Sequence, residues 1–499
     1  MYKVINNVFA ILIFFSLITY AQTFDGEWTC DYVTPDDAFS TNSTGQRVMS
    51  VGAFEENSFV ALVRRSSAKD YYLVGYKNAN HDTGRLGNYP YGPDSLQTKW
   101  INFFDQAFLD NAKDLATSGS KFYVANNDVD HNILMFELKD DSVYTFPKRL
   151  KTKSDNDLWA IDVDGNENVF VTTGGDSSTS GKILVYNSAN WKSDGKTGDL
   201  LQEITTPDPG TLRGVTVNND GTILYVSNWL NNKVYCYLGS PTDGYSLYNG
   251  FNFEADSTFE YTIGSETKTG RVGPWGLQFM ETKNILLVTH DTDYGHEGRY
   301  QYGRVYFTNP NTGEVLDTLD VAKWNFQQAG QYDNPDTSGT ASGYTSVFNV
   351  DYDDNFNLYT NSYYGWAVDK WKYSTNLPTI ELTITEVEQI SNTIPDNFTL
   401  EQNYPNPFNP TTTIEYSIPE ITHPSRFASS PLERGLRGVL VKLKIYDVLG
   451  KEIATLVNKK QNPGSYKVTF DASKLSSGTY FYKLEYANKI LTQKMTLLK

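Results

Sequence analysis

LRGVTVNNDGTILYVSNWLNNKVYCYL, residues 212–238, decides how the long middle of this chain is read. Leu212 to Val217 is an apolar strand. Asn218 to Gly221 carries the Asn, Asp and Gly residues of a tight turn, and Ile223 to Asn228 is a second strand ending in small polar residues. Lys233 to Leu238 then alternates as a third strand. The pattern recurs along the chain. LWAIDVDGNENVFVTTGG starts at Leu158 and is followed by GKILVYN, and PWGLQFMETKNILLVTHD starts at Pro274 and is followed by GRVYFTN. TSVFNVDYDDNFNLYTNSYYGWAVDKWKY starts at Thr345, KDLATSGSKFYVANNDVDHNILMFEL at Lys113, and a weaker copy, RVMSVGAFEENSFVALVRR, at Arg47.

Each unit offers three or four short antiparallel strands, which cannot bury both faces alone and must stack on their neighbours. The expectation is therefore an all-β chain whose residues 24–388 form a six-bladed β-propeller. A seven-bladed ring is the runner-up, if Phe24 to Ser40 makes a blade of its own instead of completing the last one. TIELTITEV, from Thr379, alternates strictly and could supply a closing strand. A pair of β-sandwiches would explain the alternation but not the recurring unit. Over roughly residues 45–375 the pattern resembles NHL and YVTN-type propeller repeats, with the core of the resemblance at Asp220-Gly221 to Asn228. That resemblance implies an architecture shared by binding scaffolds, lactonases and other enzymes, so it fixes no chemistry.

Residues 1–21 read as a secretory signal peptide: Lys3, an apolar run from Val8 to Ile18, then Thr19-Tyr20-Ala21 before Gln22. No later stretch is apolar enough for a membrane span, so no transmembrane segment is expected in the mature chain. The net charge of -17 argues against nucleic acid, which demands a basic face. Cys30 and Cys236 are too few to staple the fold; pairing between them and burial of Cys236 as a small core residue both stay open.

After residue 388 a polar linker, 389–402, leads to Asn403-Tyr404-Pro405-Asn406-Pro407-Phe408-Asn409-Pro410. The prolines suggest an extended arm up to Thr411. VKLKIYDVLGKEIATLV follows from Val441, GSYKVTFDASKLSSGTYFYKLEY from Gly464 and KILTQKMTLLK from Lys489. Residues 403–499 closely resemble the C-terminal sorting domain of the type IX (Por) secretion pathway. The resemblance implies a small immunoglobulin-like β-sandwich read by the type IX translocon, and a protein that passes the periplasm to be secreted or held on the outer cell surface. Residues 421–439 are basic, turn-rich and unlike their surroundings, and deleting them would leave a connection of hairpin length, so they are expected to be an inserted unstructured loop.

Chemistry is harder to locate. No G-x-S-x-G, H-E-x-x-H or phosphate-cradling loop is present, and no catalytic residue is assigned. His290, Asp291, Asp293 and His296 (HDTDYGH) could hold a divalent ion, and Asp162, Asp164, Asn166 and Asn168 imitate a calcium loop without its closing Glu. Local turn chemistry explains the second motif equally. A divalent metal such as calcium is the only cofactor suggested. Asn126, Asn228, His290 and Asn361 end equivalent strands, either facing a ligand or repeating one structural hydrogen bond. Together with Trp229, Trp275, Asp291, Asp293 and His296 they make the expected binding face. The reading is a secreted or surface-displayed interaction module for a glycan or another extracellular protein partner, with a metal-assisted hydrolase or lactonase as the alternative. Limited trypsin digestion should cut first near Arg426, Arg434 or Arg437; first cuts inside the larger body would refute the inserted loop.

Overall fold

The computed structural model describes residues 24–33, 47–64, 71–77, 98–99, 109–128, 131–139, 143–144, 147–152, 157–187, 198–242, 244–263, 265–292, 302–324, 346–362, 367–382, 387–391, 395–419, 439–461, 463–472, 475–487 and 489–499. The signal peptide and the inserted loop, apart from Val439, lie outside them.

Among the described residues, the larger body is a β-propeller of antiparallel sheets. In four of the six sheets the innermost strand comes first along the chain; in the fifth Thr258–Ile263 precedes it, and the last also takes in a strand from far upstream. The innermost strands are Arg47–Ala53, Asp114–Ser118, Leu158–Val163, Leu212–Val217, Glu266–Met280 and Val350–Tyr352. Each packs on the next and the last returns to the first, so they close a ring. Between successive sheets sits an apolar wedge, such as Tyr225, Cys236, Phe279 and Val288, or Val51, Phe59, Tyr359 and Val368. Every sheet thus buries both faces, which no single repeat could do.

The turns work as the sequence suggests. Asn218 Oδ1 accepts from the amides of Thr222 and Ile223 at 2.8 Å each, and Gly221 takes φ +70°, which only glycine adopts without strain. Asp164 and Asp353 do the same work in two other sheets, each carboxylate accepting amides two and four residues on. Their oxygens serve turn geometry.

The ring is sealed by the chain's own start. Trp28–Val33 pairs antiparallel with Ala367–Tyr373 as the outermost strand of the last sheet, so it completes that sheet. TIELTITEV does not close the ring: the Ile380 amide donates to Lys283 O, and the side-chain amides of Asn284 and Asn311 donate to Ile380 O and Glu381 O, so this stretch caps the fifth sheet. The N-terminal strand was free to take the position because Trp28 stacks on Phe307 at 4.8 Å and Asp31 meets a buried cation. Lys370, with a fully buried side chain, gives its ammonium to Asp31 at 2.7 Å and also to Asn57 of the first sheet. Burial alone would raise the Asp31 carboxyl, but the hydrogen bonds from Lys370 and Lys372 outweigh it and its pKa falls. Cys30 and Cys236 do not pair in a disulfide, and Cys236 packs as a small core residue.

Two further four-stranded sheets follow and share one apolar core. One holds Val387–Ser391, Gly464–Asp471, Thr411–Ile418 and Thr399–Leu400; the other holds Glu452–Gln461, Val439–Tyr446, Gly478–Tyr486 and Lys489–Leu497. Val387–Ser391 straddles the expected start of the linker and Thr399–Leu400 lies within it, yet each pairs as an edge strand of the first of these sheets. Nor is the Asn-Pro run a free arm. Phe408 is buried against Phe470, its amide donates to Thr496 O at 3.0 Å, and Asn403 bonds Tyr482, Pro405 and Thr412. Each proline removes a donor that the run does not need, while Phe408 supplies the apolar anchor. The strands flanking the inserted loop lie in different sheets, so the junction is a crossover and not a hairpin.

Removing one partner of a buried ion pair strands the other, so Asp31→Ala should cost roughly 3 kcal/mol. Lys372→Ala, whose side chain is 48% exposed, should cost under about 1 kcal/mol. Urea unfolding of both variants checks this; equal losses would refute the role given to Lys370.

Candidate functional site

Four of the six inner strands carry a register irregularity against the next strand. Register shifts fall between Val48 and Ser50, Leu158 and Ile161, Leu212 and Gly214, and Pro274 and Leu277. Each bulge turns one extra side chain toward the ring's end. The result is a continuous stack contributed by consecutive sheets. Lys113 Nζ lies 4.8 Å from the Trp159 ring centre, the Arg213 guanidinium lies 4.3 Å from Trp159 and 4.1 Å from Trp275, and Trp275 stacks on Phe348 at 3.8 Å. Lys113, Trp159, Arg213 and Phe348 are half-buried, and Trp275 is nearly covered.

The ring is tight below this collar. A Cβ on Gly214 would stand 2.2 Å from Trp275 O, and one on Gly276 2.6 Å from Phe348 O, where Gly276 N donates across sheets at 2.9 Å. Next comes a polar tier. Asp114 accepts from Ser50 Oγ at 2.7 Å, Asn349 Nδ2 at 3.1 Å and the Ile161 amide at 3.1 Å. Asp162 accepts from Thr216 Oγ1 and the Val217 amide, and Asp351 from Thr117 Oγ1 and the Ala53 amide. Each carboxylate therefore ties its strand to others in the ring. Burial pushes Asp114 and Asp351 up to about 7 and Asp162 up to about 6. At the far end of the same strands a cavity of about 340 Å³ is lined by Phe54, Glu55, Thr117, Gln278 and Asp351 to Asp354.

The residues singled out from sequence divide into groups. Asn126, Asn228 and Asn361 are fully buried and hold the chain segment entering the inner strand. Asn126 accepts from the Asp110 amide, Asn228 donates to Pro209 O, and Asn361 accepts from the Phe348 and Asn349 amides while donating to Val48 O. Trp229, His290 and Asp291 come together between the fourth and fifth sheets. Trp229 Nε1 donates to Asp291 O, Asp291 Oδ2 accepts from the Val347 amide at 2.7 Å, and His290 is held by Asn232 at 2.9 Å and Tyr302 at 3.0 Å. Burial, aided by Arg304, takes His290 down to about 3, so it stays neutral. Trp275 belongs to the collar. Asp293 and His296 lie outside the described residues. Among the described residues no group of three or more His, Cys, Asp or Glu side chains is placed to hold a metal ion.

Lys113, Trp159, Arg213 and Phe348 were not singled out from sequence as site residues. Their signal was positional: each sits at or just before the start of its sheet's inner strand, but the residue types differ from copy to copy.

Residues 402–497 match the family described as secretion system C-terminal sorting domain. No curated protein matches the chain. Among solved structures, one provisionally assigned as a gluconolactonase is 9% identical, with 72% of this chain and 97% of that one covered at a TM-score of 0.40. A protein from Lactobacillus plantarum is 11% identical, covering 66% and 86% at 0.36. Kuenenia stuttgartiensis hydrazine synthase is 12% identical, covering 66% and 95% at 0.35. Likeness at this level carries no argument about activity.

A carboxyl whose pKa rises on folding holds more protons in the folded chain, so its contribution is lost as pH climbs through the folded value. For Asp114 and Asp351 that window runs from 3.8 to about 7. The urea midpoint of the propeller should therefore fall between pH 5 and pH 8, and fall less in the Asp114→Asn/Asp351→Asn double variant; an unchanged slope would refute the assignment.

Proposed function

We propose that this chain is an exported binding module. In this reading residues 24–382 are a six-bladed propeller that presents a ligand site, and residues 387–499 are an immunoglobulin-like β-sandwich that addresses the protein to the type IX translocon. Residues 1–21 direct the first step, to the periplasm, and the second step leaves the protein secreted or on the outer cell surface. The observation that carries the export half is the sorting-domain match over residues 402–497. It is supported by the apolar core that Phe408 shares with the strands on both sides of it.

The binding half rests on the collar. Aromatic faces and cations gathered at the end of a closed ring form a rigid platform, and such side chains recognise ligands with an apolar face and a polar edge. The polar tier beneath it is consumed by hydrogen bonds between strands, so it holds the platform and leaves recognition to the collar. A glycan or another extracellular protein is the class of partner favoured.

In a bacterium with a working type IX pathway, the full chain should reach the surface or medium, while a chain ending at residue 382 should stay in the periplasm as a protease-resistant body. Equal export of the two forms would overturn the role of the C-terminal sheets.

A further inference from the structure

The seam of the ring sets a buried nucleophile beside an electrophile. Lys370 sits in the strand Ala367–Tyr373 with its side chain fully buried. Its ammonium donates to Asp31 Oδ2 at 2.7 Å and to Asn57 Oδ1. Asp31 also serves Lys372 at 3.0 Å, so two ammonium groups divide one carboxylate. Asp353 adds only its field, because its oxygens accept from the Asn57 and Asn357 amides, the Asn357 side chain and the Tyr359 hydroxyl. A buried ammonium that shares its counter-charge is costly, and a neutral group in its place removes that cost. Burial takes Lys370 below the usual lysine range, against its hydrogen bond to Asp31, and so toward the neutral amine, which is the nucleophilic form.

Asn57 is a carboxamide held in position. It lies in the turn between Arg47–Ala53 and Phe59–Arg64 at φ +58°, a left-handed conformation that asparagine tolerates, and its amide donates to Asp353 Oδ2 at 3.0 Å. Nδ2 donates to Glu56 Oε1 at 3.3 Å on the exposed side of the turn, while Oδ1 faces Lys370. A nitrogen hydrogen-bonded to Oδ1 stands one bond from Cγ, and two groups fixed in this way by a folded chain react as if at very high concentration. Burial alone would raise the Asp31 carboxyl, but the hydrogen bonds from Lys370 and Lys372 hold it low and charged, so it resists attack and is suited to act as the base.

We propose that Lys370 and Asn57 join in an intramolecular amide bond, with Asp31 as the base. Asp31 takes a proton from the ammonium, the freed electron pair of Nζ bonds to Cγ, and the C=O pair moves onto Oδ1. A second proton passes from Nζ to Nδ2, the C=O bond re-forms as the Cγ–Nδ2 bond breaks, and the departing ammonia collects the proton held by Asp31. One ammonium ion is lost in all, and atoms and charge balance with no other reactant. The ion pair at the seam is this site before reaction. The bond joins positions 313 apart, the first sheet to the last, in a chain whose two cysteines do not pair. Closing so long a loop restricts the unfolded chain as a disulfide would.

Intact mass and a tryptic peptide map of the folded, mature full-length protein test this. The mass should fall short of the sequence by one ammonia, and the map should hold a branched peptide joining residues 48–64 to the segment that contains Lys370, with no cleavage after Lys370. A glutamine at the mature N-terminus, such as Gln22, also expels ammonia on cyclising, so the branched peptide decides. Lys370→Arg and Asn57→Ala should each abolish it, and Asn57→Asp should restore a bond formed with loss of water instead. Asp31→Asn, which keeps the shape and loses the base, should yield at least about tenfold less of it. Absence of the branched peptide from the wild-type protein overturns the proposal, whether or not the variants fold, as does its persistence in Asn57→Ala. Undiminished yield in Asp31→Asn overturns the role of Asp31 as base.

Discussion

The pairing of Trp28–Val33 with Ala367–Tyr373 is the constraint on which the larger body depends. A ring of sheets has a seam wherever its two chain ends meet, and an unsealed seam leaves two apolar sheet faces and one strand edge in water. Here the first described strand closes it by backbone bonds, by Trp28 on Phe307, and by the ammonium of Lys370 between Asp31 and Asn57. A buried lysine is costly unless its partners are in place, so this arrangement disfavours a ring closed by any other strand. It gives specificity of closure more than raw stability.

Closure dictates what the ring's interior can hold. Neighbouring inner strands come as near as Gly214 to Trp275 and Gly276 to Phe348, so no side chain fits between them there and larger ones stand elsewhere. The polar tier interlocks. Its carboxylates accept from backbone amides and hydroxyls of other strands, which fixes the height of one sheet against the next. Trp159, Arg213 and Trp275 lie in the bulges of three consecutive sheets, at one end of the ring, where cation and ring alternate. The collar is thus a by-product of a tight ring.

Much of the fold was legible in sequence because it rests on local chemistry. Asn218, Gly221, Asp164 and Asp353 announce their turns, and the strands between them alternate. The six-bladed reading let the N-terminal segment complete the last sheet, but six residues of Trp28–Val33 carry little periodicity and the strictly alternating TIELTITEV stood beside it as a candidate closing strand. That stretch lost because pairing also depends on long-range contacts such as Asp31 with Lys370, which no local pattern encodes. The same limit explains the site. Asn126, Asn228 and Asn361 were conspicuous as repeated residues, and they turn out to hold backbone in the interior. Lys113, Trp159, Arg213 and Phe348 differ in type from sheet to sheet, so they left no motif, and only the ring brings them into one stack. In the C-terminal part, the prolines around Asn406 suggested an arm, whereas Phe408 in their midst governs where the run sits.

The order of elements along the chain has one more consequence. Both strands of the seam precede residue 382, while every strand of the sorting sheets follows it. A protease acting on the connection after delivery would therefore sever the address from the cargo without touching the bonds that hold the ring shut. The first strand of that ring, however, has its mate more than three hundred residues downstream, so a chain threaded outward from either end cannot finish the ring until nearly all of it has emerged.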